Sequence, residues 1–506
     1  MVELLGAVWW LLGVIRWLLE LGRSKEGDEY DTYPLHFMDQ MAAIRGLITS
    51  YMFRYDCVLD AEELHDSLTR LLQLRDWKKF SGRLRGSNNG RLVIRVYRDM
   101  KRQSLCRFSH VSYGVSVHEH SLGRRLPRQT GPTPSIQDGF DTFREFSVPP
   151  DMPGDVKHYL TTDEPLLSLR IVSFTDATLV SITFPHVVMD AMGVADFLGA
   201  WSAMLQQRVD QVPPLLGVKE DVMASVGSRG DAKAQSSHIL ERWQLRGLAL
   251  VAFILQITWD RFTERGIQEG TIYLPVEFVA ELRQSAHSEH RREHGMDPPF
   301  LSDGDLIAAW GAQMILSSRA NKEKSAMICN MFNIRSRVKD VLRSPGVYLQ
   351  NLVLPTTVNM NIQPTQGHPG ISVGIIACLI RDAISEQVTD GQIHRLMRIM
   401  RAAHARTGLM PFFGMADSTI ITCTNWSKAR LQEAAYFAPA VRSSSESGGA
   451  CVASAGTVLN TSGALRDMLI IYGKDAIGNY WVHGHLRRET WTLIQNVFDD
   501  RSSRTV

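Results

Sequence analysis

The tightest constraint on this chain is a strand that halts at a proline and gives way to a helix. TLVSITF (178–184) is a run of apolar and β-branched residues that reads as a strand. Pro185 cannot donate to a sheet ladder, so it releases the chain into the loop HVVMDAMG. Val194, Phe197, Leu198, Trp201 and Leu205 then recur at helical spacing, which predicts a helix from near Gly193. His186 therefore sits at the carboxyl end of a strand and ahead of a helix, where connecting segments commonly carry function. Gly193 is expected to let the backbone turn tightly before that helix.

Strand and helix alternate elsewhere too. SLRIVSF precedes TLVSITF through the turn 175–178, and FSGRLRGSNNGRLVIRVY holds Asn89-Gly90 between strand-like runs, a hairpin signal. In the second half TIYLPVEFVAELRQS reads as a strand feeding a helix. LSDGDLIAAWGAQMIL reads as a helix with Ser302 at its N-cap and Asp303 and Asp305 in its first turn. SAMICNMFNIRSRV, STIITCTNW, DMLIIYG and YWVHGHLR read as further strands. A chain of 506 residues exceeds one ordinary core, so two domains are expected. The break falls in the Pro-, Gly- and Ser-rich stretch 211–237. This divides the chain into 30–215, a crossover at 216–237, and 238–506.

Residues 1–23 stand apart. VELLGAVWWLLGVIRWLLEL is apolar but carries Glu3, Arg16 and Glu20, and it lacks the basic lead-in and cleavage site of a secretory signal. An in-plane helix anchored on a membrane surface through residues 4–19 suits it, with packing on the protein's own surface as the alternative. GLALVAFILQITW (247–259) is too short to span a bilayer and is expected to form a buried helix or hydrophobic wall, with a second membrane contact as the alternative. A net charge of +2 gives no reason to expect a nucleic-acid partner, and the basic run 78–102 reads as a solvated sheet face. Six scattered cysteines without a CxxC pair argue for a reducing compartment, against a disulfide framework and against a zinc site. HSEHRREH, with His287, His290 and His294, reads as a solvated loop or helix end rather than a metal site.

A neutral imidazole can take a proton from a hydroxyl near neutral pH, which makes His186 a candidate base; Asp190 lies four residues on. Alone, that spacing fits equally a packed histidine beside a helix-capping aspartate. In context it says more. HVVMDAMG, LSDGDLIAAW, NIRSRV, YLQNLVLP and ITCTNW occur in this order, and the array resembles the BAHD-type acyl-CoA-dependent acyltransferases, most closely their fungal secondary-metabolite O-acetyltransferases. TYPLHFMDQ and the FSGRLRGSNNGRL hairpin also look like that family's opening, so the resemblance spans about 30–500.

The resemblance implies an α/β fold of two chloramphenicol-acetyltransferase-like domains, each a mixed sheet flanked by helices, with a channel between them. It implies O-acyl transfer, chiefly acetyl transfer, from acyl-CoA to a hydroxyl, and the apolar segments 4–19 and 247–259 suit a hydrophobic secondary metabolite such as a terpenoid or polyketide as acceptor. His186 would be the general base, with no covalent acyl-enzyme. Asp190 would point away from the channel and hold the loop by pairing with Arg335, or second with Arg337. Thr424 and Trp426 would lie near the thioester oxygen. Acyl-CoA is then a co-substrate, no bound cofactor or metal is implied, and the protein is expected to be monomeric and cytoplasmic, attached to the endoplasmic reticulum membrane if residues 4–19 anchor it. One departure is LQEAAYFAPAV (431–441), where plant members carry D-F-G-W-G-K-P; the exchange at Ala435 to Pro439 bears on CoA-channel geometry. A condensation-type amide former would show H-H-x-x-x-D-G, whereas Pro185 precedes His186 here. A silent paralogue that keeps the channel as a ligand pocket is the third alternative.

Overall fold

The computed structural model describes residues 29–87, 90–263, 266–319, 325–342, 345–361, 372–442, 454–456 and 465–505; the apolar segment 1–23 lies outside them. Three sheets organise the chain. A five-stranded sheet runs in the order Ser454–Gly456, Ile48–Tyr55, Thr178–Pro185, Ser168–Ser173, Arg107–Ser112. Its two central strands are buried at every position or nearly so, including the small polar residues Thr49, Ser50, Ser181 and Thr183. The helices Ala61–Gln73 and Ala191–Leu205 cover it, packing Leu64, Leu68, Phe197 and Trp201 into one core. Trp201 satisfies its buried indole N–H on Ser67 Oγ at 3.0 Å.

The seven-stranded sheet runs Val353–Asn361, Ser325–Asn333, Ser418–Asn425, Met468–Lys474, Tyr480–Arg487, Ile267–Leu274, Ser135–Asp138. Ser325–Asn333 pairs parallel with Ser418–Asn425, which pairs parallel with Met468–Lys474, and the other pairings are antiparallel, so the sheet is mixed. Helices Val276–His294, Asp303–Ser317, Val373–Gln387 and Arg488–Thr505 flank it, and Phe278, Ile307, Trp310, Ile376, Ile421 and Val482 fill the core. A small third sheet, Tyr30–Pro34, Leu92–Tyr97, Arg83–Gly86, carries the opening hairpin.

The halves exchange strands. Ser454–Gly456, late in the chain, edges the sheet built from the first half, and Ser135–Asp138 edges the sheet built from the second. Between them the segment 431–441 crosses over. Phe437 is buried with its ring 4.4 Å from that of Trp201, and Tyr55 donates to the Ala435 carbonyl at 2.9 Å.

Several expectations are corrected. The helix begins at Ala191, so Gly193 lies inside it rather than in a turn before it, because Asp190 already serves as N-cap. The run 247–259 forms the helix Gly247–Thr263 but is not buried: of its side chains only Phe253 is, while Leu248 is 87% exposed and Trp259 67%. An apolar run that is apolar all round does not reveal which side finds a partner, and here only a narrow side does, Phe253 packing 5.0 Å from Phe412. In the basic run, Lys79 and Arg83 are buried rather than solvated, and the Arg83 guanidinium donates to the Ser81 and Ser104 carbonyls. Cys106, Cys329, Cys378 and Cys423 are free, but Cys57 is disulfide-bonded, since spacing along a chain does not report which cysteines meet.

Candidate active site

The strand Thr178–Pro185 delivers His186 to the wall of a cavity of about 1260 Å³. Both halves line it: Met38, Met41 and Leu47 on one side, Phe332, Phe412 and Phe413 on the other. The His186 backbone is fixed at both polar groups, its N–H donating to Leu47 O at 2.9 Å and its carbonyl accepting from Asn351 Nδ2 at 3.0 Å. Asn351 is held in turn by the buried Asp39, whose Oδ1 accepts from the Asn351 backbone N–H at 2.8 Å and its Nδ2 at 3.0 Å. The ring is not so fixed, for Nδ1 is buried with no hydrogen-bond partner. Burial pushes the His186 pKa below its ordinary value, partly offset by its own carbonyl, Asp190, Asn351 and Asp39. The imidazole is held neutral and able to accept a proton.

Asp190 is 4% exposed and fully engaged. Oδ1 accepts from the Gly193 N–H at 2.9 Å, capping the helix. Oδ2 accepts from Arg335 Nη1 and from the Leu352 N–H, each at 2.9 Å. Arg335 also donates through Nη2 to Tyr348 O at 2.7 Å and to Gln350 O at 2.8 Å. The guanidinium thus binds the 348–352 loop to the start of the helix, and Gly193 allows the close approach: a Cβ there would lie 2.3 Å from Leu349 O. Arg337 stands on the cavity wall.

Thr424 and Trp426 line the same cavity as His186. Thr424 is near the end of the strand Ser418–Asn425, paired with Ile470, and Trp426 N donates to Ile471 O at 2.8 Å. The Trp426 ring is wedged between Tyr51 at 5.4 Å and Tyr472 at 5.5 Å. The SDGD segment supports this strand end. Ser302 and Asp305 form a reciprocal capping box, Arg381 Nε donates to Asp305 Oδ2 at 2.9 Å, and a Cβ on Gly304 would meet Asn425 Nδ2 at 2.3 Å.

Two residues of this site escape sequence reasoning. Asp39 and Asn351 lie in TYPLHFMDQ and YLQNLVLP, each beside a glutamine, Gln40 and Gln350, so nothing local marks either as a buried polar residue. Their contact spans 312 positions, which no local pattern reports.

No family model matches the chain. Among curated proteins it is 43% identical over 502 residues to "Acetyltransferase BOT5" of Botryotinia fuckeliana, covering 94% of this chain and 91% of that protein. It is 34% identical over 476 residues to "Acetyltransferase pyiB" of Pyricularia grisea, covering 92% and 93%. Among solved structures, TRI101 of F. sporotrichioides, complexed with coenzyme A and T-2, superposes with a TM-score of 0.62 at 14% identity, covering 92% of this chain and 97% of that one. The last likeness is one of fold, two mixed-sheet domains; the first two extend to sequence over nearly the whole length. Taken with the helix-flanked mixed sheets and the cavity between the two halves, they show that the chain belongs to the fungal secondary-metabolite acetyltransferases of the BAHD type.

Proposed function

We propose that the chain moves an acetyl group from acetyl-CoA to a hydroxyl of a hydrophobic secondary metabolite, with His186 as the general base. The carrying observation is the His186 ring: it faces a large, mostly apolar cavity, it is kept neutral by burial, and Nδ1 has no competing partner. An acceptor hydroxyl seated there loses its proton to the imidazole as its oxygen attacks the thioester carbonyl. The tetrahedral oxyanion then collapses, the C–S bond breaks, and the imidazolium returns the proton to the departing thiolate. Thr424 and Trp426, which line the same cavity, supply donors for the oxyanion. Asp190, Gly193 and Arg335 act through the loop and not on substrate. The TRI101 complex with coenzyme A and T-2 supports a CoA thioester as donor and a hydroxylated acceptor. The domain division 30–215, 216–237 and 238–506 belongs to the same proposal, with each half contributing one wall of the cavity.

Thiol release from acetyl-CoA in the presence of a panel of terpenoid alcohols tests the reading. His186→Ala should abolish release in a protein that still folds; turnover that survives the substitution removes His186 as the base. Full release without any acceptor would mean a hydrolase instead.

A cytoplasmic monomer resting on a membrane completes the proposal. Among the described residues no helix is long and apolar enough to cross a bilayer. The support for a surface contact is the apolar segment 4–19 and the exposed face of the helix Gly247–Thr263, where Leu248, Val251, Leu255, Trp259 and Phe262 project to solvent. Trp259 and Ile257 of that helix also line the cavity, so an apolar acceptor could enter from the bilayer beside it.

A further inference from the structure

Away from the His186 cavity, four polar side chains meet on one face of the seven-stranded sheet. His483 and His485 are two apart on the strand Tyr480–Arg487, so they share a face, and the register sets His485 opposite Glu269 and His483 opposite Thr271. His483 is fully buried and His485 is 7% exposed. Yet among the described residues both ring nitrogens of His483, Nε2 of His485 and Oγ1 of Thr271 have no hydrogen-bond partner, and neither has the hydroxyl of Tyr472, whose ring stacks 6.0 Å from that of His483. Buried polar atoms are normally satisfied, and five orphans in one place need a reason. An ion pair of His483 with Glu269 would occupy one ring nitrogen and leave the others unexplained.

We propose that Glu269, His483 and His485 bind one divalent cation of the Zn²⁺ class. One potential ligand atom from each lies within 4.8 Å of the other two, and His483 Nε2 is 3.5 Å from Glu269 Oε2. Bonds of 2.0–2.2 Å at tetrahedral angles set neighbouring ligand atoms about 3.3–3.6 Å apart, so that pair already has the spacing a bound ion needs. Two neutral imidazoles and one carboxylate suit a borderline cation, and the second shell is built: Glu269 Oε1 accepts from the Asp141 N–H, which leaves Oε2 turned to the histidines. Asp141 and Phe140 come from the first half of the chain, and the Phe140 ring lies 5.7 Å from His483. A bound ion would therefore fasten that segment to the sheet of the second half. The three residues stand apart from the proposed acyl-transfer residues, and none of them lines the His186 cavity.

The test is equilibrium uptake of Zn²⁺ by the full-length protein after treatment with a chelator, with Co²⁺ as spectroscopic probe. About one Zn²⁺ per chain, a raised Tm and intense visible Co²⁺ bands are expected. His483→Gln should weaken uptake by at least ~100-fold while His186→Ala leaves it unchanged. Should the His483 variant fail to fold, Glu269→Gln replaces it, and unchanged binding there overturns the proposal. The half-buried His290 and the exposed His294, stacked 4.3 Å apart on one helix, could hold zinc adventitiously. Uptake that disappears in H290A/H294A but persists in His483→Gln, or a wild-type protein that takes up no ion and shows no change in Tm, overturns the assignment.

Discussion

His186 lies where water is scarce, and that decides which protonation form it keeps. Desolvation disfavours the imidazolium, so the pKa falls below 6.5. The base works only when neutral, that is, above its pKa, so lowering the pKa extends activity toward acid. With His186 as the proposed base, the acid limb of kcat/KM against pH is expected below pH 6.5, measured at saturating acetyl-CoA; a limb at or above that value would contradict a desolvated imidazole in that role. Asp190 and Arg335 present the opposite case, two charges that need each other. Their exposed fractions are 5% and 13%; Asp190 also accepts from the Gly193 and Leu352 N–H groups, and Arg335 also donates to the Tyr348 and Gln350 carbonyls. Asp190→Ala or Arg335→Ala leaves one buried charge unpaired and is expected to cost about 3–5 kcal/mol, read as a drop in Tm. Asp190→Ala, Arg335→Ala and the double variant form a cycle whose non-additivity reports the pair itself. A double variant no less stable than either single one is the expected result, because with both charges gone none is stranded.

The element that carries His186 was readable because its information is local. Proline stops the strand, aspartate caps the helix, and apolar side chains recur every third or fourth residue, all within thirty positions. The strand Thr178–Pro185 falls within one residue of the run seen in the sequence. What Gly193 does was not readable, because its partner, Leu349, lies more than 150 positions away and meets it backbone to backbone. A methyl group there would face a carbonyl oxygen at 2.3 Å, and neither helix nor loop can yield without loosening the Arg335 contacts. Gly193→Ala is thus expected to destabilise by about 1–3 kcal/mol despite alanine's better helix propensity, and to lower turnover by shifting the loop. Chemical denaturation midpoints check the first effect and thiol release the second. The helix Gly247–Thr263 failed in the other direction. Its composition implied a core element, but composition measures what a segment would gain from burial, not whether the fold supplies a partner.

At the scale of the whole molecule that largely exposed helix is the feature with most consequence. The halves are interlocked by exchanged edge strands and by Phe437, so the cavity wall is a joint product, and no stretch of sequence holds enough of it to define a substrate shape. That is why the proposed base was legible in the sequence and the shape of the cavity was not. The exposed helix borders this cavity through Ile257 and Trp259, while Leu248 and Leu255 stand 87% and 64% exposed. Inserting two leucines into an apolar phase is worth about 3–6 kcal/mol, enough to govern partition between water and a bilayer. Leu248→Glu with Leu255→Glu should leave Tm almost unchanged, since substitutions at exposed positions usually stay within about 0.5 kcal/mol. The same pair should weaken vesicle binding by on the order of 10²-fold. If the bilayer delivers the acceptor, KM for a vesicle-borne alcohol rises in this variant while KM for acetyl-CoA and turnover of a short water-soluble alcohol stay put. A uniform loss for both alcohols would instead mean that the helix shapes the cavity, and a change in the monomer–dimer balance would mean that a second copy of the chain covers this face.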